Sequence, residues 1–287
     1  MGAPKCGTTA MDEYLKQHPD IFMAKKELHY FGSDLPMKNR ISASDYSLNF
    51  INTGNKKIIG ESSVWYLFSH NAAKEIFEFS PDSKILIMLR NPVNFLTSLH
   101  SQHIHDGNED VRDFETAIQL DEERRKGNNQ PRCVDFTSLP PYKDVALFSE
   151  QVKRYLDTFD NENVHIIIYE EFAKEPETST KKVLAFLGVD TNHPIEYRVI
   201  NPNRKIRLLF LHRLIKMPAG WLKQMIRILI PVKRARHRIM HYLQQKNITE
   251  KQRRKMSQTT ERYLKDFFAD DISKLEKILG RELPQWR

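Results

Sequence analysis

Three runs of the chain are apolar without alternation: "KIIG" at Lys57–Gly60, "KILIML" at Lys84–Leu89 and "VHIIIY" at Val164–Tyr169. A strand buried on one face alternates apolar and polar residues, so continuous runs predict parallel strands covered on both faces. Between and after them the period changes to 3.6. Helices are predicted over Thr9–His18, Asn71–Phe79, Pro92–His103, Val111–Arg125 and Lys143–Phe159, the last from Val145, Phe148, Val152, Tyr155 and Phe159 at helical spacing. Pro176 sits at a first-turn position of a further helix to Leu187, with Gly188 just past its end. Alternating strands and helices predict a three-layer α/β fold, a parallel sheet flanked by helices.

Beyond Asn201 the pattern turns to basic helices, "RKIRLLFLHRLI", "GWLKQMIRILI" and "KRARHRIMHYLQQ", then one long helix ending near Leu279, with no strand signal. The expected organisation is one domain over residues 1–287, with an α/β core over 1–200 and a helical C-terminal part over 201–287 packed on it. The stretch 127–141 ("GNNQPRCVDFTSLPP") is the most loop-like and is placed to act as a flap.

Charge sharpens this picture. Of the 45 Lys and Arg, 16 fall between Arg204 and Lys255 against a single acid, Glu250. That segment fits a polyanion, an anionic lipid surface, an anionic small ligand or a plain solvated face. Two cysteines, Cys6 and Cys133, are too few for a disulfide framework and lack zinc-ligand spacing, and no charged-then-apolar leader precedes the first loop. A cytoplasmic location is therefore expected.

The chemistry concentrates near the start. In "GAPKCGTT" (residues 2–9) Gly2 and Gly7 keep the glycine spacing of a nucleotide-binding loop and Thr9 keeps its hydroxyl, but Thr8 stands where an ATPase has lysine, and the lysine is at Lys5. Backbone N–H groups and the positive end of the following helix still favour an anion. Metal-dependent triphosphate chemistry also wants a carboxylate at a nearby strand end, whereas "KILIML" runs into Arg90. A loop with its own cation, a second cation after a central strand and no metal ligand suits a dianionic nucleotide held without Mg²⁺.

Here a resemblance becomes specific. "PKCGTT" resembles the 5′-phosphosulfate loop of sulfotransferases that use 3′-phosphoadenosine 5′-phosphosulfate (PAPS), and "LRNPVNFLTSLHS", with Arg90 and Ser98 eight residues apart, resembles their 3′-phosphate motif. The ordered set "KKELHYFGSDL", "GESSVWYLFS", "YEEFAKEPETSTKKVLAFLGVD" and "DDISKLEKILGRELPQW" is similar to bacterial sulfotransferases related to the heparan sulfate enzymes. The resemblance implies a P-loop-NTPase-like fold, PAPS as co-substrate and no metal. It implies that Lys5, Cys6, Gly7, Thr8 and Thr9 hold the 5′ side, that Arg90 and Ser98 hold the 3′-phosphate, and that the basic loop of Arg204, Lys205 and Arg207 returns over the nucleotide. Sulfonyl transfer builds negative charge on the leaving oxygen, so a lysine there stabilises the transition state most, and Lys5 is the candidate. The acceptor must lose a proton. Glu27 is the candidate base, with His29 as neighbour or substitute, since both lie on one face of an extended segment. Trp65, His103 and Tyr142 are candidates for the acceptor side, with core roles as the alternative for the two aromatics.

Two departures stand out. Relatives carry an apolar strand directly before the loop, whereas only Met1 precedes Gly2, which implies either residues upstream or a truncated form. In "GESSVWYL", Ser62 and Val64 stand where relatives have lysine or proline, and Lys25 or Lys26 is expected to compensate. The rival readings are a nucleotide kinase and a non-enzymatic module binding polyanions or a membrane surface. Neither a nucleic-acid partner nor membrane contact is expected, and oligomeric state and acceptor leave no legible signal.

Overall fold

The structure is a computed structural model and describes residues 2–198, 205–206, 248–249 and 256–287. Its centre is a pair of parallel strands, β3 (Ile85–Leu89) and β4 (Val164–Ile168), in register from Ile85 opposite Val164 to Leu89 opposite Ile168. Ile87, Leu89 and Ile168 are wholly buried, each worth about 1.5–3 kcal/mol against exposure. A second parallel pair joins β1 (Ile21–Met23) to β2 (Ile58–Gly60), with Ile21 opposite Ile58. Gly2 enters beside the first pair through a parallel bridge to Met88, and Ala3 N–H donates to the Met88 carbonyl at 3.0 Å. A Cβ at Gly2 would lie 2.7 Å from Met88 backbone atoms, so this approach requires glycine.

Helices flank the strands: α1 (Thr8–Leu15), α2 (Ala43–Leu48), α3 (Ala72–Phe79), α4 (Pro92–Asp106), α5 (Phe114–Gln119), α6 (Asp121–Arg125), α7 (Tyr142–Val145), α8 (Phe148–Thr158), α9 (Tyr169–Lys174), α10 (Pro176–Leu187) and a C-terminal helix (Gln258–Leu279). Two of the predicted helices divide. The expected Lys143–Phe159 helix breaks between α7 and α8, because Asp271 of the C-terminal helix accepts from Phe148 N (2.8 Å) and Ser149 N (3.2 Å). The cap that starts α8 thus comes from a residue 123 positions away. Within the expected Val111–Arg125 helix, Asp113 caps α5 by accepting from Thr116 N at 3.0 Å, and a new helix begins at Asp121. One sequence expectation fails outright: Lys205–Ile206 and Ile248–Thr249 form short antiparallel strands, β5 and β6, in a region with no strand signal.

The chain end locks the junction after β3. Asn91 caps α4 by accepting from Val93 N and Asn94 N, both at 3.1 Å, and its Nδ2 donates to the Trp286 carbonyl at 3.2 Å. Glu170, just past β4, accepts from Asn91 N and from Trp286 Nε1, each at 3.1 Å. The buried Trp286 ring thereby fixes where Arg90 and α4 begin.

Candidate active site

A cleft of ≈ 930 Å³ opens where the first loop, the segment after β1 and the start of α4 meet. At its loop end lie Lys5, Gly7, Thr8, Thr9, Arg90 and Ser98. The cap of α1 is Gly7, at φ 86°, and no side chain caps the helix, so its first amides face the cleft uncapped by any side chain. A Cβ at Gly7 would meet Phe172 at 3.0 Å, and its φ lies in the left-handed region that favours glycine. Cys6 follows a different course from the expected one. Its side chain is wholly buried and its thiol donates to the Pro4 carbonyl at 3.5 Å, so it packs the loop from below. Burial pushes that thiol far above its ordinary range.

Arg90 and Ser98 meet as the spacing predicts. Arg90 Nη1 donates to Ser98 Oγ at 3.0 Å and to the Lys5 carbonyl at 3.2 Å, while the guanidinium stacks 4.5 Å above the Tyr169 ring. Its Nε is buried with no hydrogen-bond partner. A buried, unpaired donor on a permanent cation is costly, and the guanidinium as a whole favours an anion beside it. Lys5 Nζ donates to Gln102 Oε1 at 3.1 Å, and Gln102 Nε2 donates to Asp106 Oδ2 at 2.7 Å. Ser98, Gln102 and Asp106 recur every four residues along α4 and share one stripe. That period, continued from Ser98, was the available signal for Gln102.

The candidate base lies opposite. Lys5, Glu27 and His29 have φ of 64°, 61° and 49°, a region that costs non-glycine residues about 1–3 kcal/mol each. Glu27 and His29 are therefore not on an extended strand; their side chains meet because the backbone turns. Glu27 Oε2 accepts from Val64 N at 3.1 Å and lies 3.1 Å from His29 Nε2, while Oε1 accepts from Lys26 Nζ at 2.8 Å. Burial raises the Glu27 carboxyl, but the His29 hydrogen bond and the Lys26 charge overcome it and hold the group near 2. His29 is further fixed by its N–H donating to Ser63 Oγ at 3.1 Å, and Ser63 Oγ donates to Glu61 at 2.7 Å. Lys26 also donates to Thr8 Oγ1 at 3.3 Å.

The far end combines loop residues with the last turn of α4 and a single 3-10 turn at Val64–Tyr66. Met37, Asn39, Trp65, His103, His105, Asn108, Asp135 and Phe136 line it. Trp65 stacks on His103 at 5.9 Å and meets Phe136 edge-on at 5.0 Å. Burial pushes His103 down to about 4, so it is neutral at pH 7. Asp135 and Phe136 come from the predicted flap, held by a Met37–Phe136 bridge. Tyr142 does not reach the cleft: it is 1 % exposed and its hydroxyl donates to Glu109 at 3.0 Å, beside the buried Glu109–Arg124 pair. The phenol is needed there to satisfy a buried carboxylate.

Tyr14, Tyr169, Phe172, Pro176, Tyr197 and Arg198 line the remaining wall, with Tyr14 edge-on to Tyr197 at 5.0 Å. Tyr169 stands at the carboxyl end of β4, where parallel sheets present ligand residues, and strand direction alone could have found it. Arg204, Lys205 and Arg207 were expected over this wall; Arg204 and Arg207 and the side chain of Lys205 lie outside the described residues. Among the described residues no group of three His, Cys, Asp or Glu is arranged to hold a metal ion, and no helix is long and apolar enough to cross a membrane.

With this geometry established, comparison with known proteins is specific. Residues 1–268 match the model of the sulfotransferase domain family. A sulfotransferase of Alicyclobacillus acidocaldarius superposes with a TM-score of 0.74 at 29% identity, over 100% of this chain and 96% of that one, and with it the fold is P-loop-like, a parallel sheet flanked by helices. A membrane-associated sulfotransferase of Dictyostelium discoideum is 24% identical over 72% of this chain and 58% of its own length. Carbohydrate sulfotransferase 15 of Mus musculus is 26% identical over 66% of this chain and 43% of its own. The chain thus spans about half the length of these curated relatives.

Proposed function

The chain belongs to the sulfotransferase domain family, and from that premise we propose that it transfers a sulfonyl group from PAPS to a hydroxyl or amine of an acceptor. The observation that carries the proposal is that Arg90, poised on Ser98 and the Lys5 carbonyl, lines the same cleft as a side-chain-uncapped helix start and Lys5. These are cationic and amide donors for phosphate oxygens, with an Arg rather than a carboxylate at the strand end, so the donor set fits a nucleotide bound without a divalent ion.

When bound, PAPS supplies the sulfonyl group, which leaves its 5′-phosphate oxygen for the acceptor atom. Gly7, Thr8 and Thr9 hold the 5′ side through the amides at the start of α1. Arg90 and Ser98 hold the 3′-phosphate, and Tyr14, Phe172 and Tyr197 offer an aromatic wall to the adenine. Lys5 stabilises the charge that grows on the leaving oxygen. Glu27, steered by His29 and by Val64 N, takes the acceptor proton. The acceptor reading is a hydroxyl-rich molecule of the saccharide class. Trp65 and Phe136 give flat apolar surface, Asn39, Asn108 and Asp135 give hydrogen-bonding groups beside it, and one relative is named a carbohydrate sulfotransferase.

Calorimetry with 3′-phosphoadenosine 5′-phosphate (PAP) tests the donor assignment directly. Binding that persists in EDTA is expected; absence of heat from a folded sample refutes it. Turnover of PAPS against saccharide, lipid and phenol acceptors then tests the acceptor class, and turnover confined to phenols or lipids overturns the saccharide reading.

A further inference from the structure

A carboxylate base beside a multiply anionic donor poses an electrostatic problem. Glu27 is ionised, and it lines the same cleft as Thr8 and Thr9, which hold the donor's 5′ end in the reading above. Two like charges several ångströms apart in a partly desolvated cleft repel strongly. Unscreened, the base would weaken donor binding and the donor would push the base away.

We infer that Lys26 is the electrostatic bridge that lets Glu27 and the anionic donor occupy the cleft together. The inference rests on the PAPS reading above. Lys26 Nζ donates to Glu27 Oε1 at 2.8 Å and to Thr8 Oγ1 at 3.3 Å, so one ammonium spans the candidate base and the first residue of the anion-binding helix. An ammonium has three N–H donors, and these contacts use two. The Lys26 side chain is 17 % exposed, so its charge is only lightly screened by solvent, and it acts on the cleft through Glu27 and Thr8, which line it.

Among the described residues the other candidates for this role are placed elsewhere. Lys25 is exposed on the adjacent residue. Lys16 lies 2.7 Å from Asp12, a buried acid that also feels the Lys26 charge. Lys5 reaches across to Gln102 on α4. His29 contacts the Oε2 side of Glu27, whereas Lys26 holds Oε1, the oxygen on the side of Thr8. Ser62 contributes its carbonyl to Glu27 N at 2.9 Å, so it holds the base through backbone and adds no charge. Lys26 is in this view a positioning and screening residue, distinct from Lys5 at the leaving oxygen.

A double-mutant cycle on PAP affinity reads the bridge without needing an acceptor. The full chain is titrated with PAP by calorimetry at pH 7 and low salt as wild type, Glu27→Gln, Lys26→Met, Lys26→Met/Glu27→Gln and Lys26→Arg. Lys26→Met is expected to weaken PAP about tenfold or more, the scale of a lost charge-assisted contact. Glu27→Gln alone changes affinity by less than about threefold, and in the Lys26→Met background it restores PAP to within about threefold of wild type. Lys26→Arg retains binding, and the Lys26→Met loss shrinks as KCl is raised. A purely structural Lys26 would give a loss that Glu27→Gln does not rescue. That additive outcome, or a Lys26→Met protein binding PAP as wild type does, overturns the bridge while leaving the donor assignment intact. A folded wild type that gives no heat with PAP overturns both.

Discussion

The two ends of the cleft are built on different terms. At the donor end the groups come from two short motifs, residues 4–9 and 90–98, each attached to a strand end or a helix start and each fixed by backbone. Arg90 contacts the Lys5 carbonyl and Ser98 together, and Trp286 and Glu170 brace Asn91 beside it. At the acceptor end Met37, Trp65, His103, Asn108 and Phe136 arrive from four separate stretches of chain and meet as side chains. A charged ligand common to a family calls for preorganised amides and cations, which costs backbone strain at Lys5 and Glu27. An acceptor held by contact area calls for surface, which loops readily supply.

If the contrast is right, the largest effect belongs to Lys5. Lys5→Ala is expected to lower PAPS turnover by roughly 10²–10³, the scale of one lost transition-state donor, with a smaller change in PAP affinity; initial rates and calorimetry on the same protein separate the two. Equal losses in both would reassign Lys5 to ground-state binding.

Next is Arg90→Ala, which removes the charged donor to Ser98 Oγ and to the Lys5 carbonyl. PAP affinity should fall by roughly 10-fold to 100-fold, from about 1.5–3 kcal/mol, with acceptor KM unchanged. An affinity loss below threefold would break the donor-end assignment.

Substitution at the other end should give the reverse signature. Asn39→Ala and Met37→Ala are expected to raise acceptor KM by roughly 2-fold to 10-fold, for about 0.5–1.5 kcal/mol of lost contact, while PAP affinity stays within twofold. A parallel fall in PAP affinity would show that the ends are not separable.

The smallest effect is in stability against pH, and it too divides the ends. His103 is depressed to about 4 from 6.5 by burial, so its contribution is present above pH 6.5 and is lost as pH falls through 4. Glu27, lowered from 4.5 to about 2, contributes above pH 4.5 and loses that contribution as pH falls through 2. Melting temperatures of wild type and His103→Gln should therefore converge between pH 6.5 and 4. Those of wild type and Glu27→Gln should converge only below pH 4.5. Convergence of both pairs in one window would contradict the separate origins.

The donor end was the more legible because its groups lie close in sequence and on regular elements. The eight-residue interval from Arg90 to Ser98 places both on one side of a helix start, and their contact follows from helix geometry. The acceptor end was legible only in part. Trp65 and His103 line it, but Tyr142 is drawn into the interior by the buried Glu109–Arg124 pair, a contact between residues 33 apart that no local pattern announces. Gln102 was missed although the period-four stripe from Ser98 reaches it. β1 was missed although "IFM" is as continuous an apolar run as the three residues of β2 that were found.

By itself the sequence determined the α/β alternation, the anion loop with its displaced lysine and the Arg that replaces a metal-binding carboxylate, because each is a local property of consecutive residues. Only the tertiary structure decided which lysine meets Glu27, where the helix over 143–159 breaks and which aromatics face the cleft. Those outcomes depend on pairs brought together across the fold, such as Lys26 with Thr8 and Asp271 with Phe148, and burial and electrostatics between distant residues leave no periodic trace along the chain.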